Sequence, residues 1–255
     1  MKFENFCTTK RRISIVATAG ILLVALALVA GVFTPAIQAN GPMHFQVIDR
    51  DSVAYGKTYS EWSAAWWQWA LSLPTNNHPL FDSSTDISVG QSGSVWFLGG
   101  KFCQSTGGPP CGYTGVVRTA NVPANTALFV AVFNTEDSVL EDPANAQIAQ
   151  LAAVSAGSMD LATVSMEVDG TYIHDLKDNF RVQSPAFVFT LPSPPNNVFT
   201  AIGEGTFAAG SYFPAVGDGY YVMLAPLPPG HHKIHFAGSE DGFALDVTYY
   251  LNVSH

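Results

Sequence analysis

Basic residues are scarce in this chain. Its 255 residues hold 11 Lys and Arg against 20 Asp and Glu, a formal charge of −9. Four of those cations, Lys2, Lys10, Arg11 and Arg12, lie in the first dozen residues, where only Glu4 opposes them. Residues 40–255 therefore keep seven cations against nineteen acids, a charge of −12. Such a balance argues against nucleic acid as a partner, because phosphates need a basic surface. It argues equally against an anionic membrane surface.

Catalytic signatures are missing as well. Gly90-Gln91-Ser92-Gly93-Ser94 lacks the last glycine of a nucleophile elbow. No Ser-x-x-Lys occurs, and no phosphate-cradling glycine loop stands between a strand and a helix. A Ser–His–Asp triad or a pair of glycosidase carboxylates is defined by geometry and leaves no mark in sequence.

The N-terminus reads as a targeting segment. After the basic stretch, an apolar run extends from Ile13 to Phe33, densest from Ala19. Pro35 breaks it and Ala39 supplies a small residue for cleavage, so residues 1–39 are expected to be a signal peptide. The alternative is an uncleaved anchor, since the run is just long enough to span a bilayer. Arg11–Arg12 is a partial match to twin-arginine export. The expected destination is secreted or periplasmic, or membrane-tethered if the segment is retained. Residues 40–255 amount to one domain.

Cysteine is almost absent: three in all, with Cys7 in the expected signal peptide. Cys103 and Cys111 enclose Gln-Ser-Thr-Gly-Gly-Pro-Pro, whose glycines and prolines turn the chain back. In an oxidising compartment this predicts a disulfide, worth about 2–3 kcal/mol in the chain-entropy picture. A metal site is the alternative, but two thiolates fall short of four ligands.

The remainder alternates as half-buried strands do. Ala162, Val164, Met166 and Val168 face one way, Asp169–Gly170 makes a two-residue hairpin turn, and the return strand starts at Thr171. Phe243, Leu245, Val247, Tyr249 and Leu251 line one face of a last strand. Further strands are expected at 43–48, 95–102, 127–133, 186–191, 220–225 and 232–237. Many short strands with Gly- and Pro-rich turns predict a mainly β protein, an antiparallel sandwich or jelly roll. Two helices interrupt it. One, at 143–156, starts from an Asp142–Pro143 cap. The other, at 58–73, opens on a Thr58/Glu61 capping box and carries Tyr59, Trp62, Trp66, Trp69, Ala70 and Leu73 as one apolar stripe.

Tyr55–Trp69 (Tyr-Gly-Lys-Thr-Tyr-Ser-Glu-Trp-Ser-Ala-Ala-Trp-Trp-Gln-Trp), Ser94–Gly99 (Ser-Val-Trp-Phe-Leu-Gly) and Leu227–Gly238 (Leu-Pro-Pro-Gly-His-His-Lys-Ile-His-Phe-Ala-Gly) form a distinctive set. Through them the chain resembles a group of secreted bacterial proteins of uncharacterised activity. That resemblance implies export and a single domain, and no activity.

The candidate site residues start from the tryptophan helix. Indoles with a free N–H suit sugar rings, although a regular stripe is also what core packing produces. Trp67, off the stripe's centre, is the better binding candidate, with Trp66 beside it. Tyr55, Lys57 and Glu61 offer polar contacts at the helix entry, Glu61 serving equally well as a cap. His231, His232 and His235 follow a turn and alternate as a strand. Residues four apart there are separated by about 13 Å, too far for one zinc ion. Glu136, Asp137, Glu141 and Asp142 carry oxygens of the kind calcium takes, without an EF-hand spacing; no other cofactor is expected. The leading expectation is a non-catalytic sandwich that binds a carbohydrate or another extracellular ligand. A secreted hydrolase of polysaccharide or ester bonds, and a structural protein interacting with a cell-envelope component, are the alternatives.

Overall fold

A computed structural model describes residues 45–81, 84–102, 112–240 and 242–254, with 112–114 by backbone alone. The expected signal peptide and the Cys103–Cys111 pair lie outside the described residues.

Among the described residues ten strands form two five-stranded sheets, β1 (Val95–Leu98), β2 (Gly112–Pro123), β3 (Ala127–Ser138), β4 (Thr163–Val168), β5 (Thr171–Tyr172), β6 (Arg181–Gln183), β7 (Phe187–Leu191), β8 (Gly210–Leu224), β9 (Gly230–Glu240) and β10 (Phe243–Ser254). The first sheet runs β1-β3-β8-β6, with β7 pairing the other end of the long β8. The second runs β2-β10-β9-β4-β5. The protein is mainly β and sandwich-like, as its alternation predicts. Each sheet is mixed, however: β1 runs parallel to β3 and β2 parallel to β10.

Burial separates the two sheets. Leu128, Val130, Val132, Val222 and Leu224 of the first meet Met166, Ile234, Phe236, Val247, Tyr249 and Leu251 of the second. The opposite face of the first sheet, with Ala127, Phe129, Ala131, Tyr221 and Met223, packs under helix α1 (Tyr59–Ser72). A strand covered on both faces has no polar side to show, which is why β3 begins as the unbroken apolar run Ala-Leu-Phe-Val-Ala-Val-Phe. The second sheet has no such second cover among the described residues. Its strands β9 and β10 alternate buried with partly exposed positions.

Local sequence sets several elements as expected. The Thr58 hydroxyl accepts from the Glu61 N–H at 3.2 Å while the Glu61 carboxylate accepts from the Thr58 N–H at 2.8 Å, closing the capping box of α1. Asp169 (φ 51°) and Gly170 (φ 80°) turn β4 into β5.

Other expectations need correction. The segment at 43–48 forms no strand over its described part; Val47 makes only an isolated bridge to Leu224. The strand expected to reach Phe102 stops at Leu98. Gly99 lies against Trp66 so closely that a Cβ there would stand 2.6 Å from the indole ring. The helix at 143–156 is split into a 3-10 turn, Pro143–Asn145, and α2, Ile148–Gly157. Asp142 makes no capping hydrogen bond, and its carboxylate accepts instead from the Asn145 side chain at 3.2 Å. Two short helices, α3 (Leu176–Asn179) and α4 (Val198–Ile202), were not legible in sequence. Neither was β2, because the inward position between Val116 and Ala120 is an arginine, Arg118, 2 % exposed.

Candidate functional site

The tryptophan helix is buried far beyond its stripe. Ser63, Ala64, Trp67 and Leu71 are covered along with Tyr59, Trp66, Trp69 and Ala70. Only Glu61, Gln68 and Ser72 stay well exposed. The reason is that α1 contacts β3, β6, β7 and β8, so both flanks of the stripe meet protein. Trp67, expected to face a ligand at the surface, is 6 % exposed and wedged against Gly217 of β8, where a Cβ would lie 2.7 Å from its Nε1. Trp66 is 2 % exposed and donates to the Leu98 carbonyl at 2.9 Å. Trp62 donates to the Ala54 carbonyl at 2.8 Å. The indole N–H groups of Trp67 and Trp69 are buried without a hydrogen-bond partner.

The five expected ligand contacts divide into two places. Trp66 and Trp67 line a half-open cavity of about 100 Å³ together with Leu80, Gly100, Phe102 and Asn134. Tyr55, Lys57 and Glu61 sit at the opposite, N-terminal end of α1. There the Lys57 ammonium lies 5.3 Å from the Trp62 ring, and the Glu61 carboxylate is committed to the cap, which draws its pKa below the usual value. Tyr55 is exposed, in the left-handed region at φ 52°.

The acidic run does not assemble as a calcium site. Among the described residues no group of three or more His, Cys, Asp or Glu converges as a metal ion requires. Glu136 and Glu141 instead hydrogen-bond to one another, and the Ser138 hydroxyl donates to Glu141 at 2.9 Å. Burial, then neighbouring carboxylates, push Glu136 well above the ordinary carboxyl range. Burial also pushes Glu141 up to about 8. Asp137, the next residue along the strand, points to the opposite face by the period of two. Burial raises its pKa too. A proton shared by two carboxyls satisfies them without a cation.

The two buried histidines, His78 and His232, are occupied structurally. His232 approaches Asp169 Oδ2 at 2.7 Å through Nδ1 and the Pro228 carbonyl at 2.8 Å through Nε2. His78 donates from Nε2 to the Ala70 carbonyl at 2.8 Å and accepts the Leu80 N–H on Nδ1 at 3.0 Å. Burial lowers its pKa to about 4, so it is neutral at pH 7. Neither has a nitrogen left for a nucleophile. His235 bonds Asp246 at 3.1 Å on the open face of the second sheet.

That open face presents aromatic groups to solvent. One row across it reads Tyr172, Glu167, His235, Thr248 and Val117 in register. The neighbouring row carries Lys233, Tyr250 and Thr119. Tyr172 is 58 % and Tyr250 49 % exposed. Lys233 pairs with Glu167 at 3.2 Å, and Asn252 donates to Asn121 at 3.1 Å along the same face. Three strand spacings and a two-residue offset place the tyrosines about 16 Å apart. Sequence reasoning missed this surface because attention goes to tryptophan; the outward parity of Tyr250 beside inward Tyr249 is the signal that finds it.

No protein-family model matches this chain, and no curated protein is similar to it. Among solved structures, a cysteine protease inhibitor from Entamoeba histolytica is similar over 63 % of this chain and 96 % of its own, at 13 % identity and a TM-score of 0.22. PbICP-C, in its complex with falcipain-2, is similar over 64 % of this chain and all of its own, at 11 % identity and a TM-score of 0.25. Amebosin is similar over 58 % and all of its own, at 9 % identity and a TM-score of 0.21. Likenesses this low carry no inhibitory activity over to this chain.

Proposed function

We propose that this chain is an exported, non-catalytic binding domain that holds an extracellular glycan on the open face of its second sheet. The observation that supports the reading is the pair of exposed tyrosines, Tyr172 and Tyr250, set about 16 Å apart on the open face of the sheet. Tyrosine rings stack on the apolar faces of sugars while their hydroxyls stay wet. Between the tyrosines stand Glu167, Lys233, His235 and Thr248, which supply donors and acceptors for sugar hydroxyls. The spacing suits an oligosaccharide, not a single ring. The tryptophans serve the core in this reading, and the −12 charge of residues 40–255 disfavours an acidic glycan.

The test is retention of the purified protein on a panel of neutral polysaccharides, followed by calorimetry on the strongest. Tyr172→Ala and Tyr250→Ala should each weaken binding by about tenfold, the value of one aromatic contact, with the melting temperature unchanged. A wild type that retains no glycan, or tyrosine variants that bind as well as wild type, would sink the proposal.

A further inference from the structure

Small residues hollow the open face of the second sheet on one side of the tyrosine rows. Outward positions on β4, β9 and β10 read Ser165, Ala237 and Asp246 in one row and Thr163, Ser239 and Ala244 in the next. No side chain there is longer than that of aspartate. The face accordingly sinks into a depression of about 330 Å³, lined by these six residues and their inward-facing neighbours. Ala237 and Ala244 contribute methyl groups to it, and Thr163, Ser165, Ser239 and Asp246 contribute polar ones. The Thr163 and Ser239 hydroxyls hydrogen-bond to each other at 2.7 Å. Nε2 of His235 lies 3.1 Å from Oδ1 of Asp246, which ties the depression to the row that carries Tyr172. A carboxylate has two oxygens with which to accept, and the contact to His235 uses one. The Asp246 side chain is 45 % exposed, so solvent reaches it.

A sugar ring shows the same division as this lining, with C–H groups on its faces and hydroxyls around its edge. The volume stands at the low end of the ~300–1,000 Å³ typical of ligand sites, which suits one ring and not a chain of them.

Position decides what kind of chain that ring belongs to. The centre of the depression lies on β9 between Ala237 and Ser239. Two strand spacings and three residues of rise separate it from Tyr172, a distance of about 14 Å. One strand spacing and five residues separate it from Tyr250, about 18 Å. With the tyrosines about 16 Å apart, the three points form a nearly equilateral triangle. An extended linear chain passes over two corners of such a triangle and misses the third.

Resting on the glycan-binding reading of this face, we propose that the depression is a third sugar subsite and that the ligand is a branched oligosaccharide. One arm ends in the depression against Thr163, Ser239 and Asp246, and the others lie on Tyr172 and Tyr250. The third contact is made by a ligand already held, so it multiplies the affinity of the other two.

Isothermal titration of the purified protein compares linear cello-, malto- and manno-oligosaccharides with branched neutral oligosaccharides of similar size from xyloglucan, galactomannan and mannan. At least one branched probe should bind about tenfold tighter than every linear one, the worth of one further contact. Ala237→Ile suits a strand, fills the depression, and should bring the branched-to-linear ratio to about one. Asp246→Ala should lower the same ratio, and covers the case in which Ala237→Ile fails to fold. Tyr172→Ala should weaken both classes of probe. Branched probes that bind no tighter than linear ones, or a wild-type ratio in folded Ala237→Ile, would overturn the third subsite and leave the tyrosine site standing. Absence of binding to either class would overturn the glycan reading and the subsite together.

Discussion

The Glu136–Glu141 pair makes the stability of this fold depend on pH in an uncommon direction. Glu141 has its pKa raised from 4.5 to about 8, chiefly by burial, and burial raises Glu136 well above its ordinary value too. The charged groups acting on the pair are Asp137 and Glu204, with Asp142 acting on Asp137, and all are acids. A carboxyl with a raised folded-state pKa holds its proton more tightly folded than unfolded. Its contribution is complete below pH 4.5 and is lost progressively as pH rises to about 8, beyond which it is flat. At about 1.4 kcal/mol per tenfold change in proton affinity, Glu141 alone accounts for at most about 5 kcal/mol. That is a large share of the ~5–15 kcal/mol that holds a domain folded. Glu141→Gln removes the titration while keeping the size of the side chain, and its amide still donates to Glu136. Urea unfolding of wild type and Glu141→Gln at pH 5, 6.5, 8 and 9 reads the difference directly. The variant should gain on wild type by about 2–5 kcal/mol between pH 5 and 8, with no further gain at pH 9. A difference that stays constant across the four pH values, or one that runs the other way, would refute the shared-proton account.

Two further outcomes follow from the packing. Trp66→Ala should cost about 3–5 kcal/mol, because it empties a side chain packed on both Trp67 and Trp69. Trp66→Phe should cost less but leave the Leu98 carbonyl unpaired; thermal unfolding ranks the two, and equal melting temperatures would contradict the core assignment. Arg181 joins Asp218 at 2.7 Å, Asp160 at 3.0 Å and the Ala156 carbonyl at 2.7 Å. Arg181→Ala strands Asp218, 4 % exposed, without its cation, and should cost about 3 kcal/mol or more in chemical denaturation; a loss under 1 kcal/mol would show the pair to be dispensable.

Features governed by near neighbours in the chain were legible in the sequence. The Thr58/Glu61 box, the Asp169–Gly170 turn and the inward series Leu245, Val247, Tyr249 and Leu251 depend on neighbours within a few residues or on a strict period of two. The mainly β architecture follows from their sum. Tertiary structure decided the rest, for a physical reason common to each case: the deciding neighbour is far away in sequence. Trp67 lies off the apolar stripe, yet β8, about 150 residues later, covers it. The acids at 136 and 141 read in sequence as oxygens of the kind calcium takes, until burial makes a proton cheaper to keep than to lose. Arg118 hid β2 by breaking its apolar alternation. Only the pairing of β2 with β10 shows that this charge points into the sandwich. Which tyrosine of the pair Tyr249–Tyr250 meets solvent is set by parity and was open to reading. That the face it occupies stands uncovered is a property of how two sheets and one helix stack.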